Sequence, residues 1–174
     1  MFKINLLKKF LSLITILSMT LGLAIIDAQF AYAAALTSVS DTMSSVKAST
    51  ASNHTIIFTT PTGIANGSTT VITFTGWSNL LVGTSSIDIL VGNSTSTATQ
   101  QVIASTSVAG ASVWGFSTSS NVMTLTAPTS GTVPTANQVV IIKIGTNATS
   151  SAQGTQQITN PAAGSYTPTI GGTM

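Results

Sequence analysis

From His54 onward the chain repeats one pattern: short runs in which apolar and polar residues alternate, each closed by a cluster of Gly, Pro, Asn or Ser. In the first run, residues 54–60, His54, Ile56 and Phe58 fall on one face and Thr55, Ile57 and Thr59 on the other, and Pro61 ends it. A period of two marks a strand with one buried face, because successive side chains of an extended backbone point to opposite sides. Such strands need neighbours and a second layer to cover the apolar face.

The same reading places further strands along the chain. Residues 61–68, with Gly63, Asn66 and Gly67, form a turn into a strand over 69–75, where Ile72 and Phe74 are in phase. A strand over 85–91 sets Ile87, Ile89 and Val91 on one face and Asp88 opposite them, toward solvent. Residues 100–104 form a weaker strand, and 111–118 carries Trp114 and Phe116 in phase, as core residues. The turn Ser119-Ser120-Asn121 leads into 122–126. Residues 138–144 are the most apolar run and read as the central strand, and 166–170 as the last. Leu36, Val39, Met43 and Val46 have helical spacing, yet their segment is rich in Ser and Thr and has no good cap. Residues 34–52 are therefore read as a lead-in, a short strand or irregular, before a sandwich domain over 53–174. The fold expected is all-β: an antiparallel immunoglobulin-like or Greek-key sandwich of about seven to nine short strands. A closed barrel is the alternative.

The first thirty-three residues read differently. Lys3, Lys8 and Lys9 precede an apolar run from Leu11 to Ile26, which Asp27 ends, and small residues follow to Ala31-Tyr32-Ala33-Ala34. A basic start, an apolar middle and an A-x-A site are the parts of a helical secretory signal. Cleavage is expected between Ala33 and Ala34, with Ala35 as the alternative site. The rival is an uncleaved anchor, but the run falls short of the roughly 20 residues that span a bilayer. The mature protein is expected to be secreted or at the cell surface, with no membrane segment.

Removing the signal leaves a nearly uncharged chain. Its only ionisable side chains near neutral pH are Asp41, Lys47, Asp88, Lys143 and His54, and the sequence contains no Arg and no Glu. Nucleic-acid binding needs clustered cations to replace counterions, and there is no such cluster. Ser and Thr make up close to a third of the sequence and supply polarity without charge. Thr also suits a pleated, half-buried surface. Val, Ile, Leu and Phe are too plentiful for a disordered chain, and the absence of Cys leaves stability to the core.

Few residues can carry chemistry. A Ser-His-Asp arrangement would have to use His54 with Asp41 or Asp88, but there is no G-x-S-x-G elbow, and His54 lies in phase with Ile56 and Phe58 as a hydrogen-bonded core residue. Asp41 and Asp88 are the only mature acids available for a carboxylate pair. Against that, Asp41 suits a turn or cap and Asp88 a solvent face. The same two residues are weak calcium candidates, since calcium accepts isolated Asp with backbone oxygens. One His and no Cys exclude a zinc site in practice. Trp77, after a strand end in Thr75-Gly76-Trp77-Ser78, is the candidate ligand-contacting aromatic, with Trp114 and Tyr166 as possible partners in a sugar-stacking platform. Lys143, in phase with Val139 and Ile141, is an edge or snorkelling lysine, or else the amine of an isopeptide link. Four Asn-X-Ser/Thr sequons begin at Asn53, Asn66, Asn93 and Asn147. No catalytic residue and no cofactor is assigned.

Several segments carry a resemblance: "SVSDTMS" (38–44), "ASNHTIIFTTPTGI" (51–64), "GSTTVITF" (67–74), "VVIIKIGTNAT" (139–149) and "QITNPAAGSYTPTIGGT" (157–173). Across most of the mature chain the sequence resembles a group of secreted β-sandwich proteins of ultrasmall candidate-phyla bacteria. The resemblance implies an extracellular or cell-surface β-domain, usually the N-terminal part of something longer, and it brings no site residues. In that group the segment from Asn160-Pro161 runs on into further strands, whereas here Met174 follows Gly171-Gly172. Either the member is short or the sequence is a fragment, and a fragment would leave an unpaired sheet edge. The function expected is a structural or adhesive module without catalysis. The alternatives are a carbohydrate-binding module using Trp77 and a filament subunit assembling by strand addition, with residues 35–51 or the end near Met174 as donor. The partners expected are cell-surface components, glycans or like subunits.

Overall fold

The computed structural model describes residues 34–77, 80, 82–104, 106–150 and 153–174. The expected signal segment, including Ala33, lies outside the described residues, and Ala34 is exposed at their start. The strands in chain order are β1 (Thr37–Met43), β2 (Ala51–Ser52), β3 (His54–Thr60), β4 (Thr69–Thr73), β5 (Ile87–Gly92), β6 (Thr99–Gln100), β7 (Gly115–Ser119), β8 (Val122–Thr126), β9 (Gln138–Ile144), β10 (Ile158–Thr159) and β11 (Thr169–Gly172). They form a five-stranded sheet ordered β1-β3-β9-β5-β6, a four-stranded sheet ordered β11-β4-β8-β7 and the short pair β10-β2. All the strand pairs are antiparallel. The chain moves between the larger sheets after β3, β4, β6 and β8 and again from β9 through β10 to β11, so several sheet neighbours, such as β3 with β9 and β4 with β8, are distant in sequence, as in Greek-key connections. The all-β antiparallel sandwich expected from the alternation is what the chain forms.

The register explains the core. Across β3, β9 and β5 the rows His54–Ile144–Ile87, Ile56–Ile142–Ile89 and Phe58–Val140–Val91 lie side by side. They face Ile72, Phe74, Trp114, Phe116, Met123 and Leu125 in one buried cluster. Two-residue alternation put these side chains on one face, and burying them supplies the main driving force for packing the sheets. β9 is central, and Trp114 and Phe116 are core residues, both as read from sequence. The outer rows, such as Thr55–Lys143–Asp88 and Ile57–Ile141–Leu90, face away from this cluster.

Four expectations need correcting. Residues 37–43, within the lead-in read as a short strand or irregular, take the strand alternative at full length, with Asp41 opposite Ile56 and Met43 opposite His54. The helical spacing was accidental, since Leu36 and Met43 pack on the core while Val39 and Val46 are exposed. The lead-in is thus part of the five-stranded sheet, and the described residues from 34 onward form one compact unit. Residues 84–86 make one 3-10 turn before β5 rather than its start. The expected strand 100–104 is interrupted, with Ile103 bridging in parallel to Trp114. The last strand starts at Thr169, and Tyr166 lies ahead of it against Trp77. Among the described residues, no helix is long and apolar enough to cross a membrane.

Candidate functional site

The site is built outward from His54. Strand alternation turns its imidazole into the sandwich, where it is fully buried. On the neighbouring edge strand β1, the alternation that points Met43 inward also points Asp41 inward. The result is a 2.8 Å contact between His54 Nδ1 and Asp41 Oδ2. Asp41 is therefore a strand residue paired with an imidazole, not a turn or cap residue. Such a carboxylate holds the ring in one orientation and leaves Nε2 facing away from it.

Beyond His54 the rings continue toward the surface. Phe74 lies edge-on to His54 at 5.6 Å between centroids, and Trp77 to His54 at 6.3 Å. Trp77 contacts Phe74 at 5.7 Å and Tyr166 at 5.6 Å in the same manner. Edge-to-face contact suits the opposed charges of ring edge and ring face. The local sequence sets this path. The N–H of Trp77 donates to the Phe74 carbonyl across a turn in which Gly76 has φ +91. Only glycine takes that conformation without penalty. A side chain on Gly76 would also collide with the Tyr166 ring, and one on Gly164 would come within 2.9 Å of it.

A cleft of about 320 Å³ opens at the outer end of the ring path, lined by Met43, Val46, Trp77, Asn160, Gly164 and Tyr166 among others. Asn160 fixes one wall. Its Nδ2 donates to the carbonyls of Ser45 (2.8 Å) and Lys47 (3.1 Å), and its backbone N–H donates to Thr50. Asp41 Oδ1, His54 Nε2, Trp77 Nε1 and Asn160 Oδ1 are buried and have no hydrogen-bond partner among the described residues. Most buried polar atoms are paired, and atoms of Thr70, Gln100, Trp114 and Asn147 elsewhere in the described residues are exceptions of the same kind.

The expected site residues are placed as follows. Trp77 lies at the cleft but is 93 % buried, given a relative exposure of 7 %. It is therefore a wall of the cleft rather than an open stacking platform. Tyr166, at 37 %, is the exposed ring. Trp114 belongs to the core and is not part of the cleft. Asp88 contradicts its expected solvent exposure. It does occupy the outer face, opposite Lys143, but it is fully buried, and the Ser150 N–H donates to its Oδ2 at 2.9 Å. The segment following β9 folds over that face and covers it. The two calcium candidates lie on opposite faces of the sheet and cannot share an ion. Among the described residues, no group of three or more His, Cys, Asp or Glu side chains converges. His54 and Asp41 form the orienting half of a triad, but no hydroxyl is bonded to Nε2 among the described residues.

Sequence reasoning missed Asn160 and the two glycines that seat Tyr166. The Asn160-Pro161 step and Gly164 do signal a turn, but nothing in sequence shows that this turn lies over Trp77. No protein-family model, curated protein or solved structure matches the chain significantly.

Proposed function

We propose that the protein is a secreted or cell-surface β-sandwich that acts as a structural or adhesive module without catalysis. The observation that carries this reading is how its few reactive side chains are used. His54 and Asp41 bind each other behind Phe74 and Trp77, and Asp88 holds a backbone N–H on the opposite face. Groups committed in this way stabilise a fold and offer no exposed base or nucleophile. The basic, apolar and A-x-A parts of residues 1–33 support export, and the nearly uncharged Ser/Thr surface supports contact with cell-surface components or like subunits rather than nucleic acid. Fractionation of producing cells tests the reading. The chain is expected in the medium or on the envelope with an intact mass that begins at Ala34. A full-length chain confined to the cytosol, or a hydrolytic activity lost in His54→Gln with the fold intact, would overturn it.

The cleft favours a second reading, carbohydrate binding, because it combines aromatic walls with buried polar groups. In this reading Trp77 stiffens the wall and Tyr166 makes the contact. Glycan-array binding that disappears in Tyr166→Ala supports it, and an array without signal removes it.

A further inference from the structure

The four sequons are equivalent in sequence, but folding uses their amides differently. N-linked transfer needs the Asn side-chain nitrogen as nucleophile, a hydroxyl two residues on, and enough exposure for the transferase to seat both. At Asn53 the amide is locked in place. Its Nδ2 donates to Thr146 Oγ1 (2.8 Å), while its Oδ1 accepts from Thr146 N (2.8 Å) and Gln157 Nε2 (2.8 Å). Its hydroxyl partner, Thr55, lies inside β3 with strands on both sides. At Asn66 the residue is exposed, but Nδ2 donates to the carbonyls of Pro128 (2.8 Å) and Gly131 (3.1 Å), tying two turns together. At Asn147 Nδ2 donates to the His54 carbonyl (3.2 Å) and Thr55 Oγ1 (2.9 Å), and Oδ1 is buried.

Asn93 is the exception. It is exposed, in the turn between β5 and β6. Its Oδ1 accepts from Gln138 Nε2 at 3.1 Å, which holds the amide by its oxygen, and its Nδ2 has no partner among the described residues. Thr95 is exposed as well. The turn is pre-formed by Ser94, whose N–H donates to Thr97 Oγ1 at 3.1 Å and whose hydroxyl lies 2.9 Å from the same atom. We propose that Asn93 is the single N-glycan acceptor of the folded protein, its donor a polyprenyl-diphosphate-linked oligosaccharide. In the transfer, the bond between Nδ2 and sugar C1 forms, the C1–O bond to the diphosphate breaks, Nδ2 loses one proton, and the polyprenyl diphosphate leaves. Asn93 Oδ1 keeps its bond from Gln138, so the glycan leaves the sandwich intact.

The inference rests on the export reading, because such donors face the outside of the cytoplasm. The test does not need export and can fail separately. The purified full chain is incubated with an oligosaccharyltransferase that requires only Asn-X-Ser/Thr, together with its lipid-linked donor. Unstructured peptides spanning each sequon are treated in parallel, and products are read by intact mass and peptide mapping. The peptides for all four sites are expected to accept glycan, and the folded chain to gain one glycan, at Asn93. That glycan should be lost in Asn93→Gln and Thr95→Ala, and kept in Thr95→Ser. Glycan on Asn53, Asn66 or Asn147 of the folded chain, or a folded chain left bare while the Asn93 peptide is modified, overturns the proposal.

Discussion

Asp41 and Asp88 both sit in the five-stranded sheet, on opposite faces, and the fold accommodates them by different means. Asp41 points inward from an edge strand and is met by the side chain of the next strand, His54. Asp88 points outward from an inner strand and is met by main chain, the N–H of Ser150 in the segment after β9. In both places a carboxyl group, half-buried at Asp41 and fully buried at Asp88, has a hydrogen-bonded partner, as burial demands. They differ in what surrounds the partner. His54 is part of the ring path that ends at the cleft, so the Asp41 side is coupled to the candidate site. The Asp88 side holds the segment after β9 through the Ser150 N–H. An inward charge on an edge strand also discourages pairing with other chains, and β1 adds a bulge between Thr37 and Ser40, with Ser38 at φ 52. The expectation that residues 35–51 donate a strand to a neighbour must contend with this: part of that segment already pairs within its own sheet.

The largest expected effect lies on the inner face. His54→Ala removes a fully buried ring, leaves a cavity beside Phe74 and Trp77, and strips Asp41 of its partner. A loss of about 3 kcal/mol in urea denaturation is expected. A loss below that of Asp88→Ala would mean that the imidazole is not what holds this end together. Asp88→Ala leaves the Ser150 N–H without its acceptor on the outer face, and a loss of about 2 kcal/mol is expected. Hydrogen exchange should also quicken in the segment after β9 while the β3 and β9 amides stay protected. Uniform quickening would show that Asp88 holds the whole sheet rather than one loop.

Much of this contrast was hidden from a sequence reader, for identifiable reasons. Strands 54–60, 122–126 and 138–144 were legible to the residue, because alternation and flanking turn residues agree there. β1 was not, since its exposed edge has little apolar pattern and its pairing with β3 is a tertiary fact. Asp88 alternates correctly with Ile87 and Ile89, so its face was legible. Its burial was not, because the covering segment lies some sixty residues further on. His54 was legible as a core residue from its phase with Ile56 and Phe58. Its partner was not, because Asp41 sits in the strand that could not be read. Trp77 was singled out in sequence as a rim aromatic, but it is buried, and Tyr166, which packs against it, comes from the far end of the chain.

Smaller substitutions sharpen the comparison. Asp41→Asn keeps an acceptor for His54 Nδ1–H but removes its charge. Charge-assisted bonds are roughly twice as strong as neutral ones, so a loss of about 1 kcal/mol is expected in urea. A loss equal to that of His54→Ala would place the whole stabilisation in the carboxylate charge and none in filling the core.

The smallest expected effect is at the outer end of the same ring path. The Tyr166 hydroxyl has no hydrogen-bond partner among the described residues, and the ring is 37 % exposed, so Tyr166→Phe keeps the contact with Trp77 and deletes only an unengaged group. Stability should stay within about 0.5 kcal/mol of the parent. If the ring path served stability along its whole length, its outermost polar group would matter to unfolding in proportion. If the path is a stable base with a recognition surface at its tip, the hydroxyl should be silent in denaturation and matter only to a ligand. Thermal unfolding and glycan binding measured on the same Tyr166→Phe protein separate the two. An unchanged melting temperature with weakened binding puts recognition at Tyr166. A lowered melting temperature makes the tip as structural as His54.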